Sequence, residues 1–363
     1  MALMTGYSGT DMFSATFMSI RSGSEGYEEL PKKIPIDRCL IIGAGISGLV
    51  AGRKLQDQGI DITVIDKGRG VGGRASTRII NGARFDHGAQ SFTADDPRFR
   101  ELVEGFADLG AARVWYEGWP DEKDSEIKNR RVHYYGTNGM NHIPKSLAAG
   151  LDVITGEKVT EICFEKNLWK IVTSAGGNFK APALIMTPPM PQTLQLLSQC
   201  EFKLDPDTNR QLSKISYDRC IAAMYIMDRQ SKIPMPGGLV PDSSLVKWIS
   251  DSYTKGITDE PCGVVAHSTA KFAQERWDSD DERIASILLA EIRDFLGYEP
   301  LGYRIHRWRY SQPNRTFPQR YFLFNGGSPL LFAGDGFGRG SCSIEAAALS
   351  GMEAAERLVE IHA

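Results

Sequence analysis

The stretch Arg38-Cys-Leu-Ile-Ile-Gly43-Ala-Gly45-Ile-Ser-Gly48, completed downstream by Asp61-Ile-Thr-Val-Ile-Asp66, decides the fold. Residues 38–42 are a short, apolar, β-branched run, the pattern of a parallel strand buried on both faces. Residues 46–58 read as a helix, with Gly59 placed to end it. Residues 61–66 read as a second strand, whose terminal acid stands 18 residues after Gly48 and 23 after Gly43. Strand, glycine turn, helix, strand and acid fall within one unit of about 30 residues, the context that makes a G-x-G-x-x-G specific.

Each part has a physical job. Gly43 permits the tight turn, Gly45 lets backbone approach a pyrophosphate, and Gly48 lets the helix pack closely. Ile46 and Ser47, in the first helical turn, offer free N–H groups and a partial positive charge to the phosphates. Asp66 can accept hydrogen bonds from both ribose hydroxyls. It also disfavours a 2′-phosphate, so NADP is not expected as the resident dinucleotide.

A second cofactor-like element closes the chain. Leu330-Leu-Phe-Ala-Gly334-Asp335-Gly-Phe-Gly-Arg-Gly340 is an apolar strand running into a glycine-rich turn, and 343–359 read as a long helix. An acid at a strand end followed by a helix N-terminus suits a flavin, whose N1/O2 edge gains negative charge on reduction.

Composition sets the outer limits. The 363 residues are 42% hydrophobic and 24% charged, ordinary for globular chains, which excludes disordered, collagen-like and coiled-coil classes. Lys and Arg total 42 against 45 Asp and Glu, a net charge of −3. There is no basic excess for nucleic acid or a membrane surface, and neither is expected as a partner. Cys39–Gly52, 14 uncharged residues broken by four glycines, is too short to span a bilayer. The cysteines at 39, 163, 200, 220, 262 and 342 form no CxxC, as for free thiols in a reducing compartment. The six histidines form no HxxxH or HxH pair, so no metal site is expected.

Residues 1–35 stand apart. They are Ser-, Gly- and Met-rich, lack a basic region followed by an apolar one, and carry Asp11, Glu25, Glu28 and Glu29. That is no secretory signal; a disordered tail or an organelle-targeting segment fits better. The expected location is the cytoplasm, or a plastid or mitochondrion if the tail targets.

Lys67-Gly-Arg-Gly-Val-Gly-Gly73-Arg74 continues directly from the second strand. Here the sequence resembles the FAD-binding amine-oxidase superfamily, whose members carry such a glycine run and arginine after the ribose acid. Three further stretches resemble its renalase-like group: Asp86-His-Gly-Ala-Gln90-Ser-Phe-Thr93, Trp248-Ile-Ser-Asp-Ser252-Tyr-Thr-Lys255 and His306-Arg-Trp308-Arg309. The resemblance covers residues 36–363.

The resemblance implies an α/β chain. A discontinuous Rossmann-like FAD domain would use 36–95, 151–194 and 320–363, and a smaller α+β substrate domain with a mixed antiparallel sheet would use 96–150 and 195–319. FAD would be held without a covalent bond, because Cys342 lies downstream of Asp335 rather than upstream. Arg74 is expected on the pyrophosphate, with Lys67 and Gly73 beside it. Val159 is expected at the adenine, and Gly334 and Asp335 at the ribityl–phosphate end.

The implied reaction is oxidation of 2- or 6-dihydro isomers of NAD(P), with hydride passing to flavin N5 and electrons to O2, yielding NAD(P)+ and H2O2. Such a substrate needs no general base, because aromatisation drives hydride loss. The site should then be a flat slot lined by His267, Gln90, Trp248, Lys255 and Trp308, with His306 and Arg309 either at the slot or in packing. His267 is open to a structural role at a strand end. Three other readings stay open: an amine oxidase, weakened by Arg219 where those enzymes hold a lysine; a desaturase with an apolar channel; and a flavin-binding protein without turnover.

Overall fold

The apolar runs at 38–42 and 61–66 pair in parallel at the centre of a six-stranded sheet. A computed structural model of the chain describes residues 35–118, 131–260, 263–338 and 343–362. The sheet order is Phe322–Asn325, Pro329–Phe332, Ala183–Met186, Arg38–Ile42, Asp61–Asp66 and Val153–Thr155. All neighbours run parallel except the antiparallel edge strand Phe322–Asn325. The residues implicated in cofactor binding thus come from distant parts of the chain, brought together at the strands' C-terminal ends, where ligands sit in open α/β sheets.

Both faces of this sheet are covered, which explains its uninterrupted apolar strands. Cys39, Ile41, Ile62, Val64 and Ile185 pack under the helices Ile46–Asp57 and Ile344–His362. Their alternates Leu40, Ile42, Ile65, Leu184 and Met186 pack on the antiparallel strands Val159–Glu165, Leu168–Thr173 and Asn178–Ala181. Within 151–173, Val159–Glu165 and Leu168–Thr173 form an antiparallel hairpin, while Val153–Thr155 extends the parallel sheet.

A second sheet is antiparallel, in the order Gly238–Leu239, Val246–Asp251, Gly263–Ser268, Ser216–Ile226 and Gly302–Arg315. Helix Asp281–Leu296 covers its back through Ile284, Leu288, Ile292 and Leu296, and Asp280 caps that helix by accepting from Arg283 N at 2.7 Å. The segment 96–150 is shared differently from the expected division. Phe99, Val103 and Phe106 join the Rossmann helix core beside helix Ile344–His362, and Ile143 and Leu147 join it beside helix Ile46–Asp57.

Among the described residues, no helix is long and apolar enough to cross a membrane. Cys39, Cys163, Cys200 and Cys220 are free and buried. Cys262, Cys342 and nearly all of the 1–35 segment lie outside the described residues.

Candidate active site

The first glycine turn uses its three glycines for three different reasons. Gly43 has φ +103°, and a Cβ there would overlap Thr187 Oγ1, whose hydroxyl bonds the carbonyls of Ile42 and Gly43 at 2.9 and 3.1 Å. A Cβ on Gly48 would overlap the Gly43 carbonyl oxygen, so the helix can sit on the turn only without one. Gly45 differs. Its φ of −78° suits any residue, and no protein atom lies within 4 Å of where its Cβ would be. Nothing in the protein requires glycine there; the space it leaves opens into a cleft. Beside it, the Ser47 hydroxyl is buried without a hydrogen-bond partner.

Asp66 is fixed by backbone. Oδ2 accepts from Ala44 N at 2.7 Å and Oδ1 from Gly68 N at 2.6 Å. Each oxygen keeps lone-pair capacity for a ligand hydroxyl. The second glycine run docks against the first through Gly72 N to Ala44 O, 2.8 Å.

The cleft has a volume of about 1380 Å³. Gly43, Gly45, Ile46, Ser47, Asp66, Lys67, Gly73, Arg74, Val159, Gly334 and Asp335 line it, as do Gln90, Trp248, His267, His306, Trp308 and Arg309. Two expected site residues do not. Gly48 serves the packing just described. Lys255 is buried behind the wall: its ammonium donates to Asp86 Oδ2 at 2.8 Å and to the Gln90 carbonyl at 2.6 Å, so it cannot reach a substrate phosphate or carboxamide. Arg74 is also engaged within the protein, as a forked ion pair with Asp335 at 2.6 and 2.7 Å.

Strand pairing builds the far wall. Trp248, His267, Ala222 and His306 lie in register across four adjacent strands, and Trp308 stands opposite Cys220 one step along. A row of rings beside a methyl-sized residue makes a flat surface. The His87 backbone carbonyl organises it, accepting from Trp308 Nε1 at 2.7 Å and bonding His267 Nε2 at 3.1 Å. A carbonyl only accepts, so His267 carries its proton on Nε2 and leaves Nδ1 as an acceptor. The His87 ring stacks on Trp308, with centroids 5.4 Å apart, and meets His306 edge-on at 4.8 Å.

Burial holds all three histidines neutral. It pushes His87 and His267 down to about 3 and His306 down to about 4, helped at His87 by His306 and Arg78, at His267 by Lys247, and at His306 by Arg78. His87 and Asp86 were missed as contributors by sequence reasoning. Both lie in a quoted motif, but one acts through its backbone and the other through a buried partner distant in the chain. The glycine between them and Gln90 has a clear signal: a Cβ on Gly88 would overlap the Arg74 carbonyl oxygen.

The residues fit FAD. Gly45 leaves room no protein atom fills, Ser47 offers an unmatched hydroxyl at a helix N-terminus, and Asp66 presents a carboxylate fixed to the backbone of the same glycine turn.

Comparison with known proteins agrees. Residues 41–106 match the NAD(P)-binding Rossmann-like domain, and residues 119–359 match the flavin containing amine oxidoreductase family. Over 319 residues the chain is 22% identical to renalase from Mus musculus, covering 83% of this chain and 93% of that one. It is 29% identical over 133 residues to protoporphyrinogen oxidase 2, chloroplastic/mitochondrial, from Arabidopsis thaliana, covering 37% of this chain and 24% of that one. A solved putrescine oxidase with putrescine bound shares the fold, with TM-score 0.68 at 15% identity, over 89% of this chain and 99% of that one. With a family match across most of its length and a cleft shaped for the dinucleotide, the chain belongs to the flavin-containing amine oxidoreductases and is an FAD-dependent oxidoreductase.

Proposed function

We propose that this enzyme oxidises 2- and 6-dihydro isomers of NAD(P) to NAD(P)+, with O2 as the electron acceptor and H2O2 as the second product. The observation that carries the reading is the character of the far wall. Trp248, His267, His306 and Trp308 are all neutral there, and the cations Lys247 and Arg309 also line the cleft. Among the described residues the acids lining the cleft are Asp66 and Glu157, by the glycine turn, and Asp335, paired with Arg74. An anionic, planar dinucleotide suits such a wall better than an alkylammonium ion does.

FAD, when bound, supplies the hydride acceptor and the route to O2. The chain's own residues bind and orient. Trp248 and Trp308 offer faces and edges for a flat ring. His267 Nδ1, its tautomer set by the His87 carbonyl, accepts from a carboxamide N–H. No proton need be removed from the reacting carbon, so neutral histidines suffice. Arg219, at the position the resemblance gives to the lysine of amine oxidases, stacks on Trp277 at 4.7 Å instead.

Steady-state turnover tests the reading. With 6-dihydro-NAD the expected yield is one H2O2 per NAD+ formed. Turnover of amines with none of the dihydro isomers would overturn it.

A further inference from the structure

The cluster behind Gln90 has more structure than a packing role requires. The Lys255 and Asp86 side chains are each 1% exposed. An ammonium has three N–H groups. Here one meets Asp86 Oδ2 at 2.8 Å, one meets the Gln90 carbonyl at 2.6 Å, and the face of Trp115 lies 4.6 Å from Nζ. The other Asp86 oxygen accepts from Thr77 Oγ1 at 2.6 Å and from Met140 N at 2.8 Å. Gln90 is gripped at both ends of its amide: Nε2 donates to the Asp86 carbonyl, and Oε1 accepts from Ser250 Oγ at 2.9 Å. Trp115 in turn meets Trp248 edge-on at 6.0 Å.

We infer that Lys255 is a positioning residue that acts through Gln90, holding the 86–90 segment and its glutamine against the slot from behind. A buried ion pair is a weak source of stability, since both charges give up hydration that an apolar pair would not need. What this pair does is specify geometry. It joins the 86–90 segment, the strand Ala112–Glu117 and the loop after Val246–Asp251 at one point. The inference rests on Gln90 being a wall of the substrate slot.

The test is a mutant cycle on the FAD-loaded full chain. Lys255→Met removes the donor but strands the Asp86 carboxylate. The pair Lys255→Met with Asp86→Asn removes both charges and serves where the single change does not fold. With 6-dihydro-NAD, the pair and Gln90→Ala should each lower kcat/KM roughly tenfold, the scale of a small misplacement, and combining them should lower it no further than Gln90→Ala alone. Losses that multiply, or a pair that keeps the wild-type rate, would overturn the inference. A second readout is independent of the substrate: the visible absorption envelope of bound FAD should change alike in Gln90→Ala and in the pair. Should no dihydronicotinamide turn over, that envelope decides. Equal changes uphold the coupling, and a wild-type envelope in the pair overturns it.

Discussion

Arg74 and Asp335 meet in a two-pronged ion pair, 2.6 and 2.7 Å long, although 261 residues separate them in the chain. Arg74 follows the second glycine run and Asp335 follows the last strand, so the pair clasps two of the segments that line the cleft. A planar guanidinium can keep one prong on the carboxylate and turn another to a phosphate; an ammonium cannot. Arg74→Ala is expected to weaken FAD binding about 10- to 100-fold, the worth of one or two charged hydrogen bonds. Arg74→Lys should restore only part of it. Titration of the apoprotein by flavin fluorescence measures both, and an unchanged affinity in Arg74→Ala would place the phosphates elsewhere.

Gly45 and Gly48 make opposite expectations from the same substitution. Gly45→Ala places a methyl in open cleft, so the apoprotein should melt as wild type while FAD affinity falls at least tenfold. Gly48→Ala drives a methyl into the Gly43 carbonyl, an overpacking cost of about 1–3 kcal/mol. Its apoprotein should melt lower before any cofactor is added. Equal melting of the two variants would contradict this division of roles.

The buried histidines set a pH dependence with a definite sign. His87 and His267 stay neutral down to about 3 and His306 down to about 4, mainly through burial, whereas an unfolded histidine protonates near 6.5. The unfolded chain therefore binds more protons on acidification, and stability present above about pH 6.5 is lost progressively toward pH 4. At higher pH these groups contribute no slope. Melting temperatures from pH 8 to pH 4 should show this, and His267→Phe should flatten the acid limb. A limb unchanged in His267→Phe would show that this ring is not held neutral by the fold.

The parts of the site built from local chemistry were legible in the sequence. Gly43, Gly48 and Asp66 announce a dinucleotide turn because each answers a backbone constraint within one strand–helix–strand unit, and Gly45 because a ligand, not the protein, needs the space it leaves. The apolar strands at 38–42 and 61–66 and the helix between them were legible for the same reason. Lys255 was not. A lysine near a tryptophan reads as a ligand-facing cation, and only the tertiary fold brings Asp86, 169 residues away, to neutralise it. His87 escaped because its backbone carbonyl does the organising, and a carbonyl has no sequence signature. The helices Pro97–Asp108 and His142–Ala148 bury their apolar faces in the Rossmann helix core, and periodicity shows that a helix has such a face but not which core receives it.

Anaerobic mixing separates the candidate substrates in a single half-reaction. The FAD-loaded enzyme is mixed with 2-dihydro-NAD(P), 6-dihydro-NAD(P), ordinary 4-dihydro-NAD(P)H and a panel of amines, and the flavin band near about 450 nm is followed. The 2- or 6-dihydro isomers should bleach it rapidly, and the other compounds should leave it standing. Bleaching by an amine, with the unusual isomers inert, would contradict the substrate assignment while leaving the cofactor in place.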